Sequence, residues 1–344
     1  MTGCGETRDF DQPDSASATA RARSQPAVTA EALEASLMAA EQYLQTRDLA
    51  KSEAILLRLL DRAPSEPRAL ELHGQVLMAK AADARDRGDH AGADGLFNEA
   101  YERYRALTAL QPDSAGLQQS AGEVAQVAGR NDQALEHYQQ AHELDPNELK
   151  PHFFTAQILI ERGEYEQAIE SLRQVLKIDP DEPLAYASLA TIAVQQERYE
   201  QALEHIAEAR SIRPDDVSFR VIEASIYRRR GDARRGLELL VALPSRQRGT
   251  WFVAEELAAA YSAIGEHERA AASWALAHRS NPGHPRAHIA AAGAGAAMLR
   301  AGQRQEAHHW LQQARLDAPQ APETQALAAA LAAGDPAEAG PPSD

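Results

Sequence analysis

Seven arginines fall within twenty-one residues: Arg228, Arg229, Arg230, Arg234, Arg235, Arg246 and Arg248. A guanidinium is a planar fork that grips a carboxylate or phosphate through two parallel hydrogen bonds. The cluster therefore suits an acidic protein segment or the acidic half of a second copy, with a solvated rim as the alternative reading. Its first five members flank the turn Gly231-Asp232, which places them near one edge of the fold. Twelve histidines are also present, and His284 with His288, or His308 with His309, could be read as metal ligands. Pro285 separates the first pair from a shared helical face, and no cysteine or matched carboxylate set accompanies either. Glu255-Glu256 reads as solvated helix charge. No glycine-rich phosphate loop and no Ser-His-Asp arrangement occurs, so we expect no catalytic residue, no metal and no cofactor.

The elements that carry these residues are helical. Only 5% of the 344 residues are aromatic and the apolar content leans on Ala and Leu, which supplies helices and starves strands. The formal net charge of −16 opposes association with nucleic acid and accommodates a basic partner more easily. Charge is also unevenly placed: residues 31–216 carry 18 basic against 34 acidic side chains, while 217–316 carry 14 against 8. That asymmetry offers a second functional reading, a structural self-assembler joining acidic N-terminal and basic C-terminal halves.

No apolar run is long enough to span a membrane. The single cysteine, Cys4, excludes an intramolecular disulfide and a thiolate metal cage. Gly3-Cys4-Gly5 resembles the end of a bacterial lipoprotein processing site, in which case Cys4 is lipidated, residues 1–30 tether the protein, and the chain faces the periplasm from the cell envelope. The alternative is an untargeted cytoplasmic chain with an incidental thiol in a disordered tail, residues 1–30.

A period dominates the rest. Pro112, Pro146, Pro180 and Pro214 are spaced by 34 residues, and the same interval links Gly122, Ala156, Ala190, Ala224 and Ala258. It recurs in Gly129, Gly163, Glu197, Gly231 and Gly265, in Ala134, Ala168, Ala202, Gly236 and Ala270, and in Tyr138, Leu172, Ile206, Leu240 and Trp274. Small residues let paired helices approach, glycine ends the first helix in a left-handed conformation, and proline follows the second, which it cannot continue. Helices of about a dozen residues are marginal alone in water, so the hairpins must stack.

These series, and the stretches Ala187-Ser-Leu-Ala-Thr-Ile-Ala-Val, Arg198-Tyr-Glu-Gln-Ala-Leu-Glu-His and Ser211-Ile-Arg-Pro214, resemble the tetratricopeptide repeat family. The resemblance implies an all-α, right-handed superhelical solenoid over residues 31–320 with about eight helix-turn-helix hairpins. Their expected bounds are 33–66, 67–114 (extended), 115–148, 149–182, 183–216, 217–250 (degenerate), 251–284 and 288–321. A capping helix follows at 322–333 and a disordered tail at 334–344. Fourteen extra residues between Pro64 and Pro112 predict two helices each about two turns longer than usual, projecting as a knob. Arg248 in place of proline and an early Pro244 predict a short second helix in the degenerate hairpin.

The family's concave face is lined by first helices, which nominates Leu37, Met38, Leu72, Phe153, Phe154, Gln157, Leu184, Thr191, Val194, Val221, Ile222 and Phe252 as groove residues. The adjacent Phe153 and Phe154 cannot face one way on a helix, so one belongs to the core. The Lys, Asn and Arg set with which some members clamp a C-terminal carboxylate is missing at the matching positions, as is an asparagine ladder. The function implied is a scaffold or adaptor that holds a partner segment presenting apolar side chains.

Overall fold

The computed structural model describes residues 29–281, 283–284 and 286–333. Cys4, the tether and the segment 334–344 lie outside the described residues. All regular structure among those described is α-helical, in 18 helices, and the chain divides into two compact units, residues 1–158 and 159–344.

The first unit holds α1 (Ala30–Gln45), α2 (Leu49–Arg62), α3 (Pro67–Asp86), α4 (His90–Leu110), α5 (Ala115–Val127) and α6 (Asn131–Leu144). It ends within α7 (Leu149–Glu161). The first helix begins at Ala30, inside the span expected to be a tail, because the Thr29 hydroxyl accepts the Ala32 N–H and caps it. Helices pair in sequence, α1 with α2, α3 with α4 and α5 with α6, and each pair packs on the next. The long helices α3 and α4 have 20 and 21 residues. Their added turns bury Ala81, Ala84, Ala93 and Phe97 against one another, so the extension carries its own small core.

The second unit continues with α8 (Tyr165–Ile178), α9 (Pro183–Gln195), α10 (Tyr199–Ile212), α11 (Val217–Arg229), α12 (Ala233–Val241) and the single turn α13 (Ser245–Arg248). It closes with α14 (Trp251–Ala263), α15 (His267–Ser280), α16 (Ala287–Arg300), α17 (Arg304–Asp317) and α18 (Pro322–Ala333). Only 9 residues long, α12 stops early because Pro244 follows it. The last helix presses Leu327 and Leu331 onto Ala291, Ala307 and Leu311, covering the final hairpin.

The inter-helix turns explain one repeating series. Gly129, Gly163, Gly231 and Gly265 all take positive φ, and Glu197 is held at φ 58 in the same place. The helix crossings explain another. A Cβ on Gly122 would sit 2.5 Å from the Tyr138 ring, and one on Gly236 would sit 2.7 Å from the Ala224 carbonyl oxygen. A ring can rotate aside, whereas that carbonyl is fixed in the α11 ladder, so Gly236 marks a closer approach than the alanines of its series allow.

One buried group carries a pH consequence. His73 in α3 is 2% exposed and its Nδ1 has no hydrogen-bond partner. Burial, reinforced by the Arg103 charge, lowers its pKa to about 4. The unfolded chain titrates His73 near its ordinary value of 6.5, so between these two pH values the unfolded state binds the extra proton. Stability is thus lost as pH falls from 6.5 towards 4.

Two outcomes are expected. Gly236→Ala should destabilise the second unit by about 1–3 kcal/mol in urea unfolding, despite alanine's better helix propensity. His73→Leu should remove up to about 3 kcal/mol of acid sensitivity from the first unit, measured as the difference in urea stability between neutral and acidic buffer.

Candidate interaction surface

The helix registers sort the nominated groove residues. In the first unit Phe154 stacks on the Tyr138 ring at 5.6 Å and joins the core around Ala121 and Ile158. Phe153 meets it edge-on at 6.2 Å and, like Gln157, is half-buried. Leu37 and Leu72 are buried, whereas Met38 is exposed. In the second unit Val194 and Ile222 pack on the cluster around Ile206 and Phe219, and Val221 packs on the one around Leu240 and Val253. Leu184 and Phe252, two repeat lengths apart, are 42% and 44% exposed, and Thr191 is exposed with its hydroxyl bonded to the Ala187 carbonyl.

The arginine cluster divides by partner. Arg228 forks onto Glu256 of α14, with Nε to Oε1 at 2.6 Å and Nη2 to Oε2 at 3.0 Å, largely shielded from water. That carboxylate holds the Arg228 guanidinium above its ordinary pKa. Arg230 faces Glu200 and Asp232 at 3.7 and 3.6 Å, and both Arg230 and Arg235 lie over the Tyr227 ring. Arg248 donates to the Val241 carbonyl and to the Ser245 hydroxyl. Arg229, Arg234 and Arg246 remain exposed, with no ion pair among the described residues. The cluster is thus partly a structural device that ties α11 to its neighbours.

The histidine pairs diverge. His284 stacks flat on Trp251 at 4.3 Å, while His288 stands 3.8 Å from Glu323. His308 and His309 are both exposed, His309 edge-on to Trp310. Among the described residues no group of three or more His, Cys, Asp or Glu side chains is arranged to hold a metal, and no helix is long and apolar enough to cross a membrane.

A feature outside the nominated set stands out at the end of the second unit. Between α16, α18 and the Trp274 indole opens a cavity of about 400 Å³ with a mostly apolar lining. Ile289, Ala296 and Leu299 form one wall, and Ala326, Leu327 and Ala330 the other. Gly293 contributes to it, because a Cβ there would sit 2.7 Å from the indole, so a larger residue would push Trp274 away from α16. The His288–Glu323 contact joins the first turns of α16 and α18, and Arg300, with no ion pair among the described residues, stands at the last turn of α16, about 18 Å along that helix. Sequence reasoning passed over this trough because Ala287–Arg300 reads as alanine and glycine, and a hollow is made by missing side chains. The one available signal was Trp274 opposite that small-residue helix.

Two tetratricopeptide repeat family models match the sequence, over residues 125–192 and 187–245. Residues 125–245 thus carry tetratricopeptide repeats. Solved structures agree on the fold. A tetratricopeptide repeat protein from Parabacteroides merdae is 19% identical, with 76% of this chain and 99% of that chain covered and a TM-score of 0.55. PilW, a type IV pilus biogenesis factor, is 16% identical, with 62% and 98% covered and a TM-score of 0.53. In the Cut9–Hcn1 structure of the APC/C the identity is 15%, with 91% and 57% covered and a TM-score of 0.51. No curated protein shows significant sequence similarity to the chain. As a repeat array of this family the protein belongs among protein-interaction scaffolds.

The Arg228–Glu256 fork makes a measurable contribution. Glu256→Ala leaves a largely buried guanidinium unpaired and should cost about 2–3 kcal/mol in urea unfolding, whereas Arg229→Ala should change stability by less than about 0.5 kcal/mol.

Proposed function

We propose that this protein is a scaffold that holds an extended segment of a partner protein, with the trough between α16 and α18 as the principal anchor point. The trough itself carries this reading. An open cavity of about 400 Å³ with an apolar lining takes one or two bulky aliphatic or aromatic side chains. The free Arg300 guanidinium at its far end suits a carboxylate on the same segment. Exposed Leu184 and Phe252 extend the apolar surface of the same unit along its first helices. The ligand is therefore a peptide with an apolar anchor followed by an acidic residue, in keeping with helical repeat arrays, which bind on extended faces and leave chemistry to their partners.

The arginines left exposed, Arg229, Arg234 and Arg246, lie outside this trough, and we assign them a subsidiary role as a surface for acidic groups of the same partner. Self-assembly through opposite charges would use them instead. It would appear in light scattering as a mass that falls with added salt.

The trough can be filled without touching the core, because Ala326 and Ala330 are exposed. Peptides selected from a random library on the full chain should bind the parent protein and quench or enhance Trp274 emission in a Trp251→Phe, Trp310→Phe background. Ala326→Phe with Ala330→Phe, which fill the trough without adding a tryptophan, should weaken that binding at least about tenfold, the equivalent of roughly 1.4 kcal/mol, with helix content unchanged. Arg300→Glu should weaken the acidic peptides selectively. Binding undiminished by the filled trough overturns the assignment. Asp at Val221 or Ile222 is a poorer probe, since both side chains pack on buried clusters and the change would cost folding.

A further inference from the structure

One position of the 34-residue register is underfilled in the second unit. Leu159 and Tyr227 stand one repeat before and one repeat after Ala193, and all three are buried. Where alanine replaces the larger side chains, a cavity of about 180 Å³ opens among α8, α9 and α10, with Ile192 and Ala193 in its floor. Arg173 of α8 and Arg198, the residue just before α10, line it together with Gln196 and Gln201, and among the described residues no carboxylate does.

The following hairpin carries the missing chemistry within its own chain. There Tyr227 takes the place of Ala193, and Arg230 and Arg235, at the register positions of Gln196 and Gln201, lie over its ring at 5.0 and 4.7 Å. Asp232, at the position of Arg198, faces Arg230 at 3.6 Å. Ring, cations and carboxylate are all resident. Around Ala193 the ring and the carboxylate are gone while a cation stays: among the described residues the side chains of Gln196, Arg198 and Gln201 make no hydrogen bond and Arg198 no ion pair. Arg173 has Glu170 at 3.5 Å, and both are exposed. A cavity of roughly 150 Å³ lined by aliphatic side chains holds one benzene, so this one admits a six-membered ring and no peptide backbone.

We propose that this cavity binds a small free aromatic carboxylate, its ring against Ile192 and Ala193 and its carboxylate on the Arg198 guanidinium. The fit follows from size and charge together. A guanidinium both forks onto a carboxylate and lies over an aromatic ring, and one free cation matches a monoanion better than a phosphate dianion. The amides of Gln196 and Gln201 offer further N–H donors to the carboxylate. The site is separate from the trough between α16 and α18 and does not rest on the reading given to that trough.

The test titrates the full chain with 4-fluorophenylacetate and follows the fluorine NMR signal of the probe. One-site saturation is expected, with a Kd below about 5 mM. Ala193→Tyr restores the side chain of the following hairpin and Ala193→Leu that of the preceding one, and each should weaken binding at least about tenfold. Arg198→Gln should do the same, and because Arg198 is exposed this variant keeps the parent's fold even if the larger side chains at Ala193 disturb it. The neutral 4-fluorophenylacetamide should bind the parent at least about tenfold more weakly and be indifferent to Arg198→Gln. Absence of saturation in the parent overturns the proposal, as does equal binding of acid and amide, or binding that survives in Arg198→Gln or in a folded Ala193 variant. So does displacement of the probe by an N-acetylated, C-amidated Tyr-Asp peptide as readily as by the free acid, since that reports a site for a protein segment.

Discussion

The structure depends on how closely two short helices can approach. A hairpin of helices about thirteen residues long has too little internal hydrogen bonding to persist in water, and its apolar side chains gain burial only when hairpins come into contact. Contact requires a small residue on at least one side of each crossing. Gly122 accepts the Tyr138 ring, Gly236 accepts the Ala224 carbonyl, and Ala190, Ala224 and Ala258 are fully buried in the same phase. The core that results is divided into separate local clusters, as stacking through nearest neighbours dictates.

Polar groups then fix which neighbour a hairpin meets. Apolar stacking is non-directional, but a guanidinium fork has one geometry. In the first unit Arg68 reaches Glu34 and Lys80 reaches Glu53, while in the second Arg210 reaches Glu223, Arg228 reaches Glu256 and Arg286 reaches Glu255. Four of these pairs join residues on different helices, and in the fifth Arg286, the residue just before α16, reaches back to α14. A charged cluster that looks like a binding patch in one dimension is in this way partly spent on internal alignment.

That division of labour shapes the functional reading. Stacked faces are covered inside the array, so places where cover runs out are where another chain gains most by binding. The trough beside Trp274, between α16 and α18, is one such place.

The sequence alone determined the repeat length, the all-helical class, the turn and crossing positions, the longer helices α3 and α4 and the shortened α12. These are local properties: a helix breaks at Pro244 and turns at Gly231 whatever surrounds it, and a period of 34 residues is visible without coordinates. Tertiary structure alone decided partners and voids. Whether Arg228 faced solvent or Glu256 depended on a helix 28 residues away, and whether Phe153 or Phe154 entered the core depended on Tyr138. The trough between α16 and α18 was invisible because side-chain pattern reports what fills space, while an empty volume exists only once three helices have been placed around it.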